Sequence, residues 1–348
     1  CRSNKDFRKN KGLHKGKQLC ESDIRPLNKT LEKHYNGIEP PKLQTAFFDI
    51  EVDFDPVLGY ASPEEAFAPI TAIGVYLQWQ DAMVCLSVPP KTLNWEQATV
   101  IAEKIPEVIL CRTEKEMLDM FLVLIEDADI LSGWNSEGYD IPYMVNRVTQ
   151  VMSKDDTRRF CLLGQYPKKR KYERFGKEEE TFDLVGRIHL DYLQLYKKYN
   201  YESRHSYKLD AIGELEVGEK KTEYEGSLDQ LYNKDFKKFI EYNRQDTLLL
   251  KKLDDKLQFM ELANQMAHEN TVLLPTVMGS VAMIEMAIMN EAHERGVVVP
   301  NKIRQNINTV SEGQAAGAYV MNPKKGLHEW IGSIDINSLY PSVIRALN

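Results

Sequence analysis

The order of sequence patterns predicts an α/β fold, a mixed sheet flanked by helices. Three strand-like runs follow one another between residues 45 and 88, helical and strand-like segments alternate after them, and a long amphipathic stretch lies beyond residue 230. Successive strands followed by alternation fit a sheet covered on its faces.

Each element follows from local chemistry. Pro40-Pro41 punctuates a polar opening segment, and from Thr45 to Asp53 apolar and polar residues alternate with period two, the mark of a strand. Ile70 to Trp79 and Ala82 to Val88 are rich in β-branched and aromatic residues, with polar Gln80-Asp81 between them as a hairpin turn, which completes a three-strand meander. From Glu114 to Asp127 the spacing of Met117, Met120, Phe121 and Leu124 is helical. Ala128 to Leu131 reads as a buried strand, and Asp140 to Val151 as a helix with Pro142 in its first turn. Ile188 to Tyr192 supplies a fifth strand, and a long helical region from about Asn233 to Ala267 follows a Gly-containing loop. Lys168 to Lys171 with Tyr172, Glu173, Arg174, Phe175 and Gly176 is very polar and reads as an exposed loop or hairpin. Near the end, Trp330 to Ile336 reads as a strand and Pro341 to Leu347 as the start of a helix.

Composition bounds the rest. A chain of 348 residues, 43% hydrophobic and 28% charged, is long enough for one large or two medium domains with a sizeable core. No membrane span is expected, because the most apolar stretch, Thr271 to Asn290, is broken by Pro275 and Glu285. The cysteines at 1, 20, 85, 111 and 161 have no CxxC or CxxxC spacing, which argues against a zinc site or a disulfide framework and fits a reducing, cytosolic compartment. Net charge is −7, yet the first 44 residues carry 11 Lys+Arg against 5 Asp+Glu, about +6. That local basic arm is either a phosphate-meeting surface or a solvated tail. Starting at Cys1, without methionine or an apolar signal core, the chain reads as a piece of a longer protein.

Three acidic patterns carry the chemistry. In Phe47-Phe48-Asp49-Ile50-Glu51-Val52, period two sets Asp49 and Glu51 on one face and Phe48, Ile50 and Val52 on the other. Like charges on a central strand are costly to desolvate, and a hard divalent cation with oxygen ligands compensates them. The competing reading is an edge strand with solvated acids. In the stretch from Gly133 to Pro142, Asp140 sits where a strand and turn give way to a helix, as a ligand or simply as an N-cap. In Tyr242-Asn243-Arg244-Gln245-Asp246, positions i and i+4 share a helix face with Phe239, Leu249, Leu250 and Leu253, where an acid needs a partner unless it tilts to the surface. Together they make four carboxylates and one phenol, a set that suits two metal ions in phosphodiester hydrolysis, with the phenol beside the attacking water.

Phe48 to Glu51, Asn135 to Asp140 and Tyr242 to Asp246 resemble, in order, the three exonuclease motifs of the DEDDy proofreading domain of family B DNA polymerases. The separations, 91 residues from Asp49 to Asp140 and 106 from Asp140 to Asp246, suit that family. Tyr242, where another branch of the superfamily carries His, selects the tyrosine subclass. The resemblance implies an RNase H-like fold that removes nucleotides from a 3′ DNA end, with Asp49, Glu51, Asp140 and Asp246 holding two Mg²⁺ or Mn²⁺ ions and Tyr242 positioning the water.

A second resemblance lies at the other end. Asp335 through Ser342, D-x-x-S-L-Y-P-S in the one-letter code, is similar to polymerase motif A. It implies that Asp335 binds the polymerase metals, that the backbone at Asn337, Ser338 and Leu339 lies against the incoming triphosphate, and that Tyr340 packs under its sugar. Gln314 to Tyr319 is similar to the family's Y-x-G-G/A linker motif, but Ala315 stands where its Tyr is expected, which leaves Gly317-Ala318 for close approach to the template backbone. The polar stretch from Lys168 to Lys177 occupies the region of the strand-separating hairpin of T-even phage polymerases.

The expectations are therefore specific. Residues 1–44 end an N-terminal domain, 45–260 form the exonuclease domain, 261–330 a helical connection and linker, and 331–348 the start of the palm. The partners implied are DNA, as a single-stranded 3′ end and as primer–template, and the rest of the palm, fingers and thumb, with a sliding clamp left open. Phage replicative polymerases are the nearest in kind, which implies work in a host cytoplasm. Bases of a frayed strand stack on aromatic side chains, for which Phe54, Tyr139, Tyr143 and Tyr207 are candidates. Asn135 is a candidate to bond the strand, and Arg204, Lys208 and Arg244 to lie near phosphate; the alternative for each of these residues is a core aromatic or a surface charge. A stand-alone nuclease of the same superfamily acting on RNA and an inactive exonuclease-like scaffold are the rivals.

Overall fold

The computed structural model describes residues 20–174, 177–219, 226–301 and 319–347. They fall into two units that divide between Asn301 and Lys302.

The first unit is built on the predicted meander. Strands β1 (Thr45–Val52), β2 (Ile70–Leu77) and β3 (Ala82–Ser87) pair antiparallel, and the turn between β2 and β3 is a short 3₁₀ segment, Gln78–Gln80, closed by Asp81 in a left-handed conformation. Three elements in the first third of the chain escaped the sequence reading. Helix α1 (Pro26–Tyr35) precedes β1, and after β3 come α2 (Trp95–Ala102), opened by an Asn94/Gln97 capping box, and a three-residue edge strand β4 (Val108–Leu110) parallel to β3. Segments this short carry too few periods to stand out from loop.

Helix α3 (Glu114–Leu124), strand β5 (Ile130–Ser132) and helix α4 (Asp140–Val151) follow as expected, α4 at its predicted bounds. The polar stretch is a hairpin, β6 (Lys168–Arg174) with β7 (Lys177–Asp183), whose strands form a separate two-stranded sheet. The strand expected at 188–192 shrinks to β8 (Ile188–His189). Asp191 ends it by accepting hydrogen bonds from Leu193 N and Gln194 N, which starts helix α5 at Tyr192 (Tyr192–Tyr199). With β4 counted, β8 is the sixth strand of a sheet ordered β4-β3-β2-β1-β5-β8, in which β1 and β5 run parallel.

Helices α6 (Leu209–Val217) and α7 (Leu228–Lys234) lead to α8 (Phe236–Leu257) and α9 (Phe259–Glu269). The long helical region expected from about 233 to 267 is thus interrupted at Gln258, whose φ of 53° breaks the ladder between α8 and α9. A last helix, α10 (Ser280–Glu294), closes the unit.

Burial follows the alternation read from the sequence. Phe47, Ala72, Tyr76 and Cys85 face α8 in one apolar cluster, and Phe48, Ile50, Ile73, Val75 and Leu86 face α3 and α4 in another. The sheet is therefore a mixed α/β layer with a core on each face.

In the second unit, residues 319–347, helix α11 (Leu339–Leu347) forms where a helix was expected. The strand expected at 330–336 does not: those residues have no regular hydrogen bonding and are exposed. A strand needs a neighbouring edge for its N–H and C=O groups, and no strand pairs with this segment among the described residues.

Candidate metal centre

The central strand sets the site. On β1, Asp49 and Glu51 point to the α8 side, and α8 brings Asp246 to them from above, so that carboxylate oxygens of Asp49, Glu51 and Asp246 all lie within 4.8 Å of one another. Glu51 is 8% exposed and Asp246 1%, and Asp49 is half-buried. Three anions this close, two of them removed from water, repel strongly unless a cation sits among them. An all-oxygen donor set is the one hard divalent cations take.

The close approach of α8 depends on Gly74. It pairs with Asp49 across the β1–β2 ladder, and a Cβ built there would overlap Thr247 Oγ1 and lie 2.9 Å from Asn243 Oδ1, both on α8. An isolated Gly inside a strand pattern signals such an approach, so this residue was legible in the sequence and went unread. Asn243 fills the space over Gly74. Its Nδ2 donates to Asp49 Oδ2 at 3.3 Å and to Asp49 O at 3.4 Å, while its Oδ1 accepts from Cys85 Sγ at 3.4 Å.

Asp140 arrives by another route. β5 runs parallel to β1, with Ser132 opposite Phe47, so the loop leaving β5 emerges at the C-terminal end of β1. Gly133 lets that loop lie against the strand, since a Cβ there would be 2.8 Å from Phe48 O. Asn135 turns the loop with φ 62°, a left-handed conformation that Asn tolerates. The loop is tied down by Asp191, whose carboxylate accepts from Asn135 N and Glu137 N, each at 3.1 Å, besides capping α5. Burial pushes the Asp191 carboxyl up to about 6, against the pull of those N–H groups. Ser136 Oγ lies 2.8 Å from His189 Nε2, and burial lowers the imidazole to about 3, so His189 is neutral. No sequence signal pointed to Asp191 or His189, because their role is set by a partner loop more than 50 residues away.

Asp140, 6% exposed, thus opens α4 at the same end of the sheet, although it is not one of the three acids within 4.8 Å. Tyr139 beside it reports both sides of the site. Its phenol is pushed up to about 12, by burial first and then by the charges of Asp140 and Glu51. Tyr242, 9% exposed, stands one turn before Asp246 on the face of α8 that also buries Phe239, Leu249, Leu250 and Leu253.

The other candidates are spread around this centre. Half-buried Tyr139 stacks on Tyr143 with ring centroids 5.4 Å apart, and Phe54 meets Tyr60 edge-on at 4.9 Å. Tyr143 is wholly buried, its phenol donating to Ala68 O, so it belongs to the core. Tyr207 packs edge-on to Tyr196, and its carbonyl accepts from Trp134 Nε1 at 3.0 Å. Arg244 is paired with Glu107 at 2.6 Å and Arg204 with Glu202 and Glu216, whereas Lys208 is exposed. Arg170 of the β6–β7 hairpin bonds Glu137 in the loop before Asp140, and Asp183 at 2.8 Å. In the second unit Asp335, Ser338, Leu339 and Tyr340 are exposed, with Ser338 at φ 53° and Leu339 starting α11. Gly317 and Ala315 lie outside the described residues.

A mixed sheet with two acids on its central strand, and two more acids and a tyrosine on flanking helices, defines an RNase H-like exonuclease domain. The chain belongs to DNA polymerase family B: the family's exonuclease-domain model matches residues 5–212, and a second family B model matches residues 275–348. It is 29% identical over 328 residues to a DNA-directed DNA polymerase of Escherichia phage RB69, covering 88% of this chain and 35% of that protein. With the DNA-directed DNA polymerase of Enterobacteria phage T4 it shares 29% over 258 residues, 71% of this chain and 28% of the relative. With a DNA polymerase of Pyrococcus glycovorans it shares 27% over 312 residues, 87% and 36% respectively. The chain spans about a third of the length of these relatives.

Proposed function

We propose that residues 45–260 act as a proofreading nuclease, hydrolysing the terminal phosphodiester at a 3′ DNA end during replication. The observation that carries this reading is the meeting of Asp49, Glu51 and Asp246 within 4.8 Å on the buried face of the sheet. In this reading Asp140 completes the ligand set from the N-terminus of α4. A pair of Mg²⁺ or Mn²⁺ ions held by the four acids supplies charge that stabilises both the attacking and the leaving oxygen of the displacement. Tyr242 positions the water that attacks phosphorus, and the 3′ oxygen leaves, yielding a nucleoside 5′-monophosphate and a DNA end one unit shorter.

The protein's own contribution is position and exclusion of water. Asp191 and Gly133 hold the loop bearing Asn135, Tyr139 and Asp140 against β1, so Asn135 and Tyr139 meet the strand where its last phosphate reaches the acids. Tyr139 and Phe54 offer ring faces for the terminal bases, a sequence-tolerant mode suited to mismatched ends. Tyr207 and Arg244 are the further contacts proposed for the same DNA strand. In the whole polymerase, Asp335, Ser338, Leu339 and Tyr340 begin the nucleotide site of the palm, Gly317 is assigned by its linker motif to contact with the template strand, and primer–template DNA, the fingers and the thumb complete synthesis. Among the described residues no helix is long and apolar enough to cross a membrane, and a host cytoplasm is the setting proposed.

The test is a gel assay on single-stranded DNA labelled at its 5′ end, with Mg²⁺ or with EDTA. A metal-dependent ladder shortening from the 3′ end is expected, abolished in Asp49→Ala/Glu51→Ala. A ladder that survives the double substitution in full overturns the assignment, and folded protein with no ladder in any metal points to a scaffold.

A further inference from the structure

Behind the acids lies a buried polar row that the nuclease chemistry does not itself use. Asp49, Gly74 and Cys85 are register partners on three adjacent strands and share the α8 face. Because Gly74 has no side chain, Asn243 reaches down from α8 between the outer two. We propose that Asn243 is a positioning residue for the nuclease, its amide holding the Asp49 carboxylate in the orientation that faces Glu51 and Asp246. This rests on the reading of the acids as metal ligands.

The amide is fully buried, and so is Cys85. Burial raises the Cys85 thiol to about 12, so it stays protonated and is a donor. It serves the amide only through Oδ1, at 3.4 Å, which turns Nδ2 toward Asp49 Oδ2 at 3.3 Å and Asp49 O at 3.4 Å. The thiol thus fixes which way the amide faces, and the amide fixes the carboxylate. One donor on two acceptors of the same residue restrains both the side chain and the backbone of Asp49. A hydrogen bond from a buried amide to a ligating carboxylate is the arrangement by which outer partners orient metal ligands. Thr247 Oγ1 donates back to Asn243 O at 3.3 Å, anchoring that turn of α8 above Gly74.

The experiment measures Mn²⁺ affinity of the full chain by electron paramagnetic resonance, alongside the nuclease rate as a function of metal concentration. The variants are Asn243→Leu, which keeps volume and loses the amide, Cys85→Ala, Cys85→Ser and Asp49→Ala, each checked for cooperative unfolding. Asn243→Leu is expected to weaken Mn²⁺ binding by about 10- to 100-fold and to raise the metal concentration needed for half-maximal rate, with a smaller change in rate at saturating metal. Cys85→Ser, which keeps a donor, is expected to bind Mn²⁺ more tightly than Cys85→Ala. Wild-type Mn²⁺ affinity in a folded Asn243→Leu overturns the proposal. Should Asn243→Leu not fold, equal affinities in the two Cys85 variants overturn it instead. Tight binding that persists in Asp49→Ala would mean that the metal reading itself fails, a result distinct from either.

Discussion

Asp246 stands in an apolar stripe of α8, 1% exposed, with two further carboxylates within 4.8 Å. Such a group is stabilising for a metal complex and destabilising for the bare fold, because like charges out of water repel. Asp246→Asn is therefore expected to raise the metal-free unfolding free energy by on the order of 1 kcal/mol while abolishing the rise in Tm that Mn²⁺ gives the wild type. Thermal melts in EDTA and over a Mn²⁺ series read both effects, since a ligand bound only by the folded state stabilises in proportion to the logarithm of its concentration. An unchanged Mn²⁺ response in the variant would contradict the arrangement of the site.

At the scale of elements, the site exists because one helix lies unusually close to one strand. α8 crosses β2 over Gly74, where a methyl group would overlap Thr247 Oγ1. Gly74→Ala should cost about 1–3 kcal/mol, the usual penalty for overpacking a tight contact, and should weaken Mn²⁺ binding by displacing Asn243 and Asp246 from β1. Thr247→Ala removes the overlapping oxygen, so the double variant is expected to recover part of both losses. Denaturant unfolding of the four members of this cycle checks the prediction, and additive effects would show that the two side chains do not meet.

Over the whole first unit, the chain's early residues are stapled to the end of α10. His293 lies between Glu32 and Glu21, bonding Glu32 through Nδ1 and Glu21 through Nε2 at 2.7 Å. Lys29 pairs with Glu21 at 3.2 Å, and the Val299 N–H donates to Glu21 at 3.1 Å. The two carboxylates raise the His293 imidazole above its ordinary range, the Glu32 hydrogen bond contributing most. A raised folded pKa makes the contribution full below the unfolded value of about 6.5 and lost as pH climbs through the folded one. Hydrogen exchange over residues 20–36 is expected to speed up as pH rises through that window, beyond the intrinsic trend, and His293→Gln should flatten the difference. Equal pH dependence in wild type and variant would exclude the clamp.

Much of this was readable without coordinates. Period two on 47–52 already separated Asp49 and Glu51 from Phe48 and Ile50, and helical spacing already put Tyr242, Asp246, Leu249 and Leu253 on one face. Those are properties of the backbone's own geometry, so a sequence states them directly. The resemblance of the three acidic motifs likewise pointed to the family whose models match the chain. What the sequence left open was whether the faces meet, since an edge strand with solvated acids has the same alternation as a central one. Only tertiary structure made β1 central, between β2 and β5, and let α8 down onto Gly74. It also placed Asp191 under the loop that carries Asp140, and Asn243 between Asp49 and Cys85. Such contacts join residues tens to hundreds of positions apart, and local periodicity holds no record of them. The misread strand at 330–336 marks the same boundary from the other side: β propensity describes a segment, but pairing needs a neighbour.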